Sequence, residues 1–111
     1  MAKLRAGIHA VNDDGKPELR CGFEWRGDGD SVQIITGADS GLAKAIQAEG
    51  VRVGGRAYTL DDGEVFMRWL PWVIRGSMLY ADLWEEKDGK WVPVASENPP
   101  ELVGEQGESN A

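Results

Sequence analysis

The chain has 111 residues, with 19 Asp and Glu against 12 Lys and Arg and a net charge of −7. Its one cysteine, Cys21, excludes an intrachain disulfide, and with one histidine, His9, the usual zinc and copper ligand sets are missing too. No run reaches the roughly 18 apolar residues of a membrane helix and no signal-peptide core opens the chain, so a soluble, cytoplasmic protein without a membrane segment is expected.

The charge divides unevenly. Residues 96–111 contain Glu97, Glu101, Glu105 and Glu108 and no base, which leaves the first 95 residues only mildly acidic. This predicts a single domain over 1–95, a size that buries a core unaided, and an acidic, disordered tail over 96–111 with little to bury.

Residues 3–11 alternate, with Leu4, Ala6, Ile8 and Ala10 on one parity and Lys3, Arg5, Gly7, His9 and Val11 on the other, as a strand does. A type I′ turn at Asp14-Gly15 sets Leu4 opposite Trp25, Ala6 opposite Phe23, Ile8 opposite Cys21 and Ala10 opposite Leu19, and all four pairs are apolar. A four-residue turn over 27–30 then brings Val32 to Trp25 and Ile34 to Phe23. The result is a three-stranded meander whose expected buried face is Leu4, Ala6, Ile8, Leu19, Cys21, Phe23, Trp25, Val32 and Ile34.

The other face of the meander collects Lys3, Arg5, His9, Arg20 and Arg26 around a single Glu24, with His9 opposite Arg20 and Lys3 opposite Arg26. Gly7 opposite Gly22 leaves a low place where an anionic group reaches the backbone. This is a candidate site for phosphate, nucleic acid or an acidic protein, set against the commoner case of a solvated sheet face.

Asp39 or Ser40 caps a short helix with Leu42, Ala43, Ile46 and Gln47 on one side, ending at Gly50. Val51 to Val53 and Arg56 to Leu60 flank Gly54-Gly55, a second hairpin signal. Thr59 and Asp61 are competent caps for a second helix, with Val65, Phe66, Trp69 and Leu70 as its apolar stripe and Arg68 turned to water. Pro71 predicts the end of that helix at Leu70, with Trp72 to Ile74 crossing to the next strand.

Asp88-Gly89 is a third hairpin signal and pairs Lys87 with Lys90, Glu86 with Trp91, Glu85 with Val92, Trp84 with Pro93 and Leu83 with Val94. Leu79, Ala81, Leu83, Val92 and Val94 then share one side, and Met78, Tyr80, Trp84 and Trp91 share the other with Asp82. Both sides are apolar, so the helix covers the aromatic one or a partner does. Pro93 puts its strand at a sheet edge. Three strands, helix, hairpin, helix, hairpin make an α+β fold, a largely antiparallel sheet with two short helices packed on one face.

Catalytic chemistry finds little to work with. Asp13 and Asp14 lie about 25 Å from Asp28 and Asp30 along the second strand, so turn formation accounts for them better than a metal site does. Gly37-Ala38-Asp39-Ser40-Gly41 lacks the lysine and spacing of a phosphate loop and the serine position of a nucleophile elbow. Arg26-Gly27-Asp28 spells an adhesion tripeptide with nothing extracellular around it. His9 has no nucleophile in reach, and Cys21 is expected to be buried and inert. No catalytic residue, metal or cofactor is expected.

The leading expectation is a non-enzymatic binding or regulatory protein that meets a protein partner through Met78, Tyr80, Trp84 and Trp91, the basic face, or both. In size and composition it is similar to small phage or mobile-element inhibitors of host enzymes. The alternatives are an anion- or nucleic-acid-binding module using Lys3, Arg5, His9, Arg20 and Arg26, and a self-associating structural subunit, for instance a homodimer.

Overall fold

The computed structural model describes residues 3–27, 29–36, 40–74, 78–94 and 98–100. Of the features expected above, Asp28 of the second turn, the Asp39 cap and nearly all of the acidic tail lie outside the described residues. In chain order the elements are β1 (Leu4–Val11), β2 (Pro17–Trp25), β3 (Gln33–Thr36), α1 (Ser40–Glu49), β4 (Val51–Val53), β5 (Arg56–Tyr58), a 3-10 turn at Leu60–Asp62, α2 (Gly63–Ile74), β6 (Leu79–Lys87) and β7 (Lys90–Pro93). Five strands form one antiparallel sheet in the order β3-β2-β1-β6-β7, and β4 and β5 form a separate hairpin. This is the α+β class expected.

The core lies between one face of the large sheet and the helices. Leu4, Ala6, Ile8, Cys21, Phe23, Trp25 and Leu83 come from the sheet and meet Phe66, Met67 and Leu70 of α2 and Ala43 of α1. Phe23 and Phe66 meet edge to face with centroids 5.6 Å apart, which suits the ring quadrupoles. Each such fully buried side chain contributes about 2–3 kcal/mol by area. Val51 and Tyr58 extend the same core into the small hairpin.

The entry to α2 depends on a cap and a glycine. Thr59 and Asp62 exchange side-chain and backbone bonds as a capping box, so the orphan amides of the 3-10 turn have partners. At Gly63 the chain turns with φ +49°, and a Cβ there would lie 2.7 Å from Trp25 Nε1. Only glycine combines that dihedral with that contact. Trp25, held in turn by its bond to Asp30 O, closes the core at this corner.

Several local expectations are corrected. Asp14-Gly15 is not a two-residue turn. Gly15, at φ +77°, donates to Asn12 O, and Asn12 donates to Lys16 O, closing a three-residue loop that the Asn12 side chain ties further to Asp14 and Lys16. This shifts the end of the hairpin by one residue, and a bulge at Arg20 shifts it back. Leu4, Ala6 and Ile8 therefore face Trp25, Phe23 and Cys21 as expected, but His9 faces Leu19 rather than Arg20, and Ala10 faces Glu18. Leu19 is carried to the opposite side and is 44% exposed instead of buried. Ile34 does pair with Phe23 but stands exposed on the edge strand, and Gln47 of α1 is also exposed.

Pro71 does not end α2, which runs on to Ile74. In the last turn a proline loses one intrahelical bond, and continuing the helix keeps Trp72 and Ile74 beside the sheet. Arg68 is not a solvent residue either. Its guanidinium bonds Glu64 Oε2 at 2.7 Å and Glu85 Oε2 of β6 at 3.3 Å, pinning the helix to the sheet.

Candidate functional site

Which face of β6 the helix covers decides which surface is free. Leu83 is buried under α2, with Leu79 and Ala81 packed beside it, so Tyr80, Asp82 and Trp84 point the other way. The pairing of β1 with β6 then sets His9 opposite Tyr80, Gly7 opposite Asp82 and Arg5 opposite Trp84. All four β6–β7 pairs from Trp84–Pro93 to Lys87–Lys90 occur as the Asp88-Gly89 turn requires, which adds Trp91 beside Glu86. The basic side of the meander and the aromatic side of the last hairpin are one surface, the face of the sheet turned away from the helices. Val11, Leu19, Tyr80 and Trp84 all stand exposed on it, and Met78, 93% exposed, directly precedes β6.

The cations on this face have carboxylate partners. Glu24 is only 5% exposed and accepts from Arg5 Nε at 2.7 Å and Arg26 Nε at 2.9 Å. Burial by itself would raise the Glu24 carboxyl, but the hydrogen bonds and charges of Arg5 and Arg26 outweigh it and hold the group below its ordinary range. Arg20 bonds Glu18 at 2.9 Å, and Lys3 lies 3.9 Å from Glu86. Lys3, Arg5, Arg20 and Arg26 are thus balanced by Glu18, Glu24, Asp82 and Glu86.

His9 sits at the middle of the face. Its Nε2 is 3.1 Å from Asp82 Oδ2 and its ring stacks on Tyr80 with centroids 5.3 Å apart. The imidazole and Leu19 also roof Gly7: a Cβ placed on that glycine would lie 3.0 Å from His9 Nε2 and 3.3 Å from Leu19 Cδ1. The low place expected between Gly7 and Gly22 is therefore filled. Arg5 continues across the sheet, its guanidinium carbon 4.5 Å above the Trp91 ring. A band of contacts runs from Glu24 on β2 through Arg5 to Trp91 on β7.

Sequence reasoning named Tyr80, Trp84, Trp91, Lys3, Arg5, His9, Arg20 and Arg26, and the sheet brings these onto one side or its rim. It missed Glu18, Leu19 and Glu86. Glu86 shares parity with Trp84, but its place beside Lys3 depends on β6 pairing with β1, for which no turn dipeptide gives a signal. Among the described residues no three His, Cys, Asp or Glu side chains gather to hold a metal ion, and no helix is long and apolar enough to cross a membrane. Compared with protein-family models, characterised proteins and solved structures, the chain matches none.

Proposed function

We propose that this is a non-enzymatic, cytoplasmic binding protein that acts by laying the open face of its five-stranded sheet on the surface of another protein. The observation that carries this reading is the β1–β6 pairing, which merges Tyr80, Trp84 and Trp91 with Arg5 and His9 on a face that neither helix covers. Trp, Tyr and Arg are the residue types that dominate interface energetics, and Arg5 is already ordered against Glu24 and Trp91, so it loses little freedom on binding. The 34 residues of the sheet's five strands, rising about 3.4 Å each with strands about 4.8 Å apart, give roughly 550 Å² in projection, somewhat below the roughly 800 Å² per partner of a standard interface.

The charge balance favours a protein over a nucleic acid. Phosphate binding needs cations free to replace counterions, whereas Lys3, Arg5 and Arg26 are engaged by carboxylates on the same face and Arg20 by Glu18. Paired affinity captures from cell extract test the reading, with wild type, Trp84→Ser, Arg5→Glu and the α1 surface control Lys44→Ser as baits. A protein held by wild type and by the Lys44 variant but released by the other two is expected. If every retained protein is held equally by all four baits, the proposal fails. Sedimentation over a concentration series identifies the case in which the partner is a second copy of the chain.

A further inference from the structure

Arg5 lies on the central strand of the sheet, between Glu24 of β2 and Trp84 of β6. Its guanidinium is fixed from two sides. Nε donates to Glu24 Oε2 at 2.7 Å, and the guanidinium carbon lies 4.5 Å above the ring of Trp91. Both contacts leave Nη1 and Nη2 unengaged: among the described residues neither nitrogen has a hydrogen-bond partner, and the side chain is half-exposed. These two nitrogens form a planar fork, the arrangement with which arginine takes a carboxylate through two parallel bonds.

The charge around the fork is not closed. Glu24 also accepts from Arg26 Nε at 2.9 Å, so one carboxylate serves two guanidiniums and the trio keeps one positive charge. The other ion pairs of this face, Lys3 with Glu86 and His9 with Asp82, set one base against one acid. Trp84 and Trp91 place apolar surface beside Arg5, which lowers the local dielectric and strengthens a pair formed there. A single carboxylate matches the surplus. A phosphoryl group carries about −1.5 to −2 and would set its excess charge beside the buried Glu24.

We infer that Arg5 anchors an aspartate or glutamate side chain of the protein partner, one whose apolar neighbours meet Trp84 and Trp91. The inference rests on the open-face reading and adds to it the chemistry that the partner must present. A fork held in place by Glu24 and Trp91 before binding loses little rotamer freedom when the carboxylate arrives. Engagement through Nε alone leaves enough of Arg5 for one such group, though not for a polyanion.

The test titrates the full-length, nitrogen-15-labelled chain with the acetylated, amidated pentapeptide Gly-Leu-Glu-Leu-Gly and with versions carrying glutamine or phosphoserine at the centre. The Arg5 Nε–H and the Trp84 and Trp91 indole N–H resonances are followed by NMR. The glutamate peptide should shift all three with a dissociation constant on the order of 1 mM, the glutamine peptide should bind at least about tenfold more weakly, and the phosphoserine peptide no more tightly than the glutamate one. Arg5→Gln should weaken the glutamate peptide about tenfold, and Arg5→Lys, which keeps the charge without the fork, should not restore it. Equal binding of the glutamate and glutamine peptides, phosphoserine binding about tenfold tighter, or no binding up to about 10 mM would overturn the inference. So would a full-length chain with Glu97→Gln/Glu101→Gln/Glu105→Gln/Glu108→Gln whose Arg5 resonance moves without any peptide, since the occupant is then the chain's own acidic end. Should Arg5→Gln lose the folded spectrum, the comparison of the peptides on the wild type decides alone. Failure here is separable from failure of the open-face reading: a protein released from the Trp84→Ser bait while the glutamate and glutamine peptides bind alike keeps the face as an interface and removes the carboxylate anchor.

Discussion

Glu24 is the one charged side chain buried in the described sheet, and replacing it with glutamine tests how the open face is held. Two arginines donate to its two oxygens, and a hydrogen bond to a charged group contributes about 1.5–3 kcal/mol when desolvated. The guanidinium side is less favourable, because the Arg5 and Arg26 side chains are 48% and 65% exposed and solvent screens their charges. Discounting for that, Glu24→Gln should cost about 2 kcal/mol at neutral pH, or about 8–16 °C in Tm for a domain of this size. The pH dependence follows from the lowered pKa. A carboxyl whose folded pKa lies below its unfolded value contributes stability that is complete above the unfolded pKa and is lost as pH falls through the folded one. Thermal melts of wild type and Glu24→Gln should therefore differ most at pH 6–7 and converge as the pH drops below about 4. A constant gap across that range, or no gap at pH 7, would refute the assignment of Glu24 as the ionised bridge.

Three further outcomes are expected. Gly63→Ala must place a Cβ against Trp25 Nε1 at a positive φ and should cost about 2–4 kcal/mol, read as a lowered denaturation midpoint with unchanged slope. Pro71→Ala restores an intrahelical donor and should leave Tm unchanged or raise it by a few degrees, with no loss of helical circular dichroism, whereas a helix ending at Leu70 would gain nothing. Trp84→Phe should remove more of the acrylamide-quenchable emission than Trp25→Phe, since Trp84 stands on the open face and Trp25 is in the core.

What the sequence reveals and what it hides divide along a physical line. Registers fixed by a local turn were legible: Asp88-Gly89, with φ of +53° and +79°, aligns β6 and β7 through all four pairs from Trp84–Pro93 to Lys87–Lys90, and Gly54-Gly55 aligns β4 with β5. The first hairpin reached the right core register through two errors that cancel, a three-residue loop in place of two and a bulge at Arg20. The alternation of apolar residues chose the register that buries Leu4, Ile8 and Phe23, and the turn and bulge accommodated it. Leu19 was misplaced because a bulge reverses parity and leaves no mark in the sequence. Pro71 misled because its cost at a helix end is one bond, less than the burial gained by continuing.

Strand order is the information that no local rule supplies, and here it changes the surface itself. With β6 beyond β1, the cations of the meander meet Asp82 and Glu86 and the aromatic residues of the last hairpin, so an apparent basic patch becomes a neutral, aromatic one. The sheet edges meanwhile are guarded: β3 is four residues long, is bulged, and is approached by a bond from Val32 to Leu60, while β7 is short and ends in Pro93. Short edges, bulges and prolines are how sheets prevent strand addition. Guarded edges lower the risk of uncontrolled association even though neither helix covers the tryptophan-bearing face.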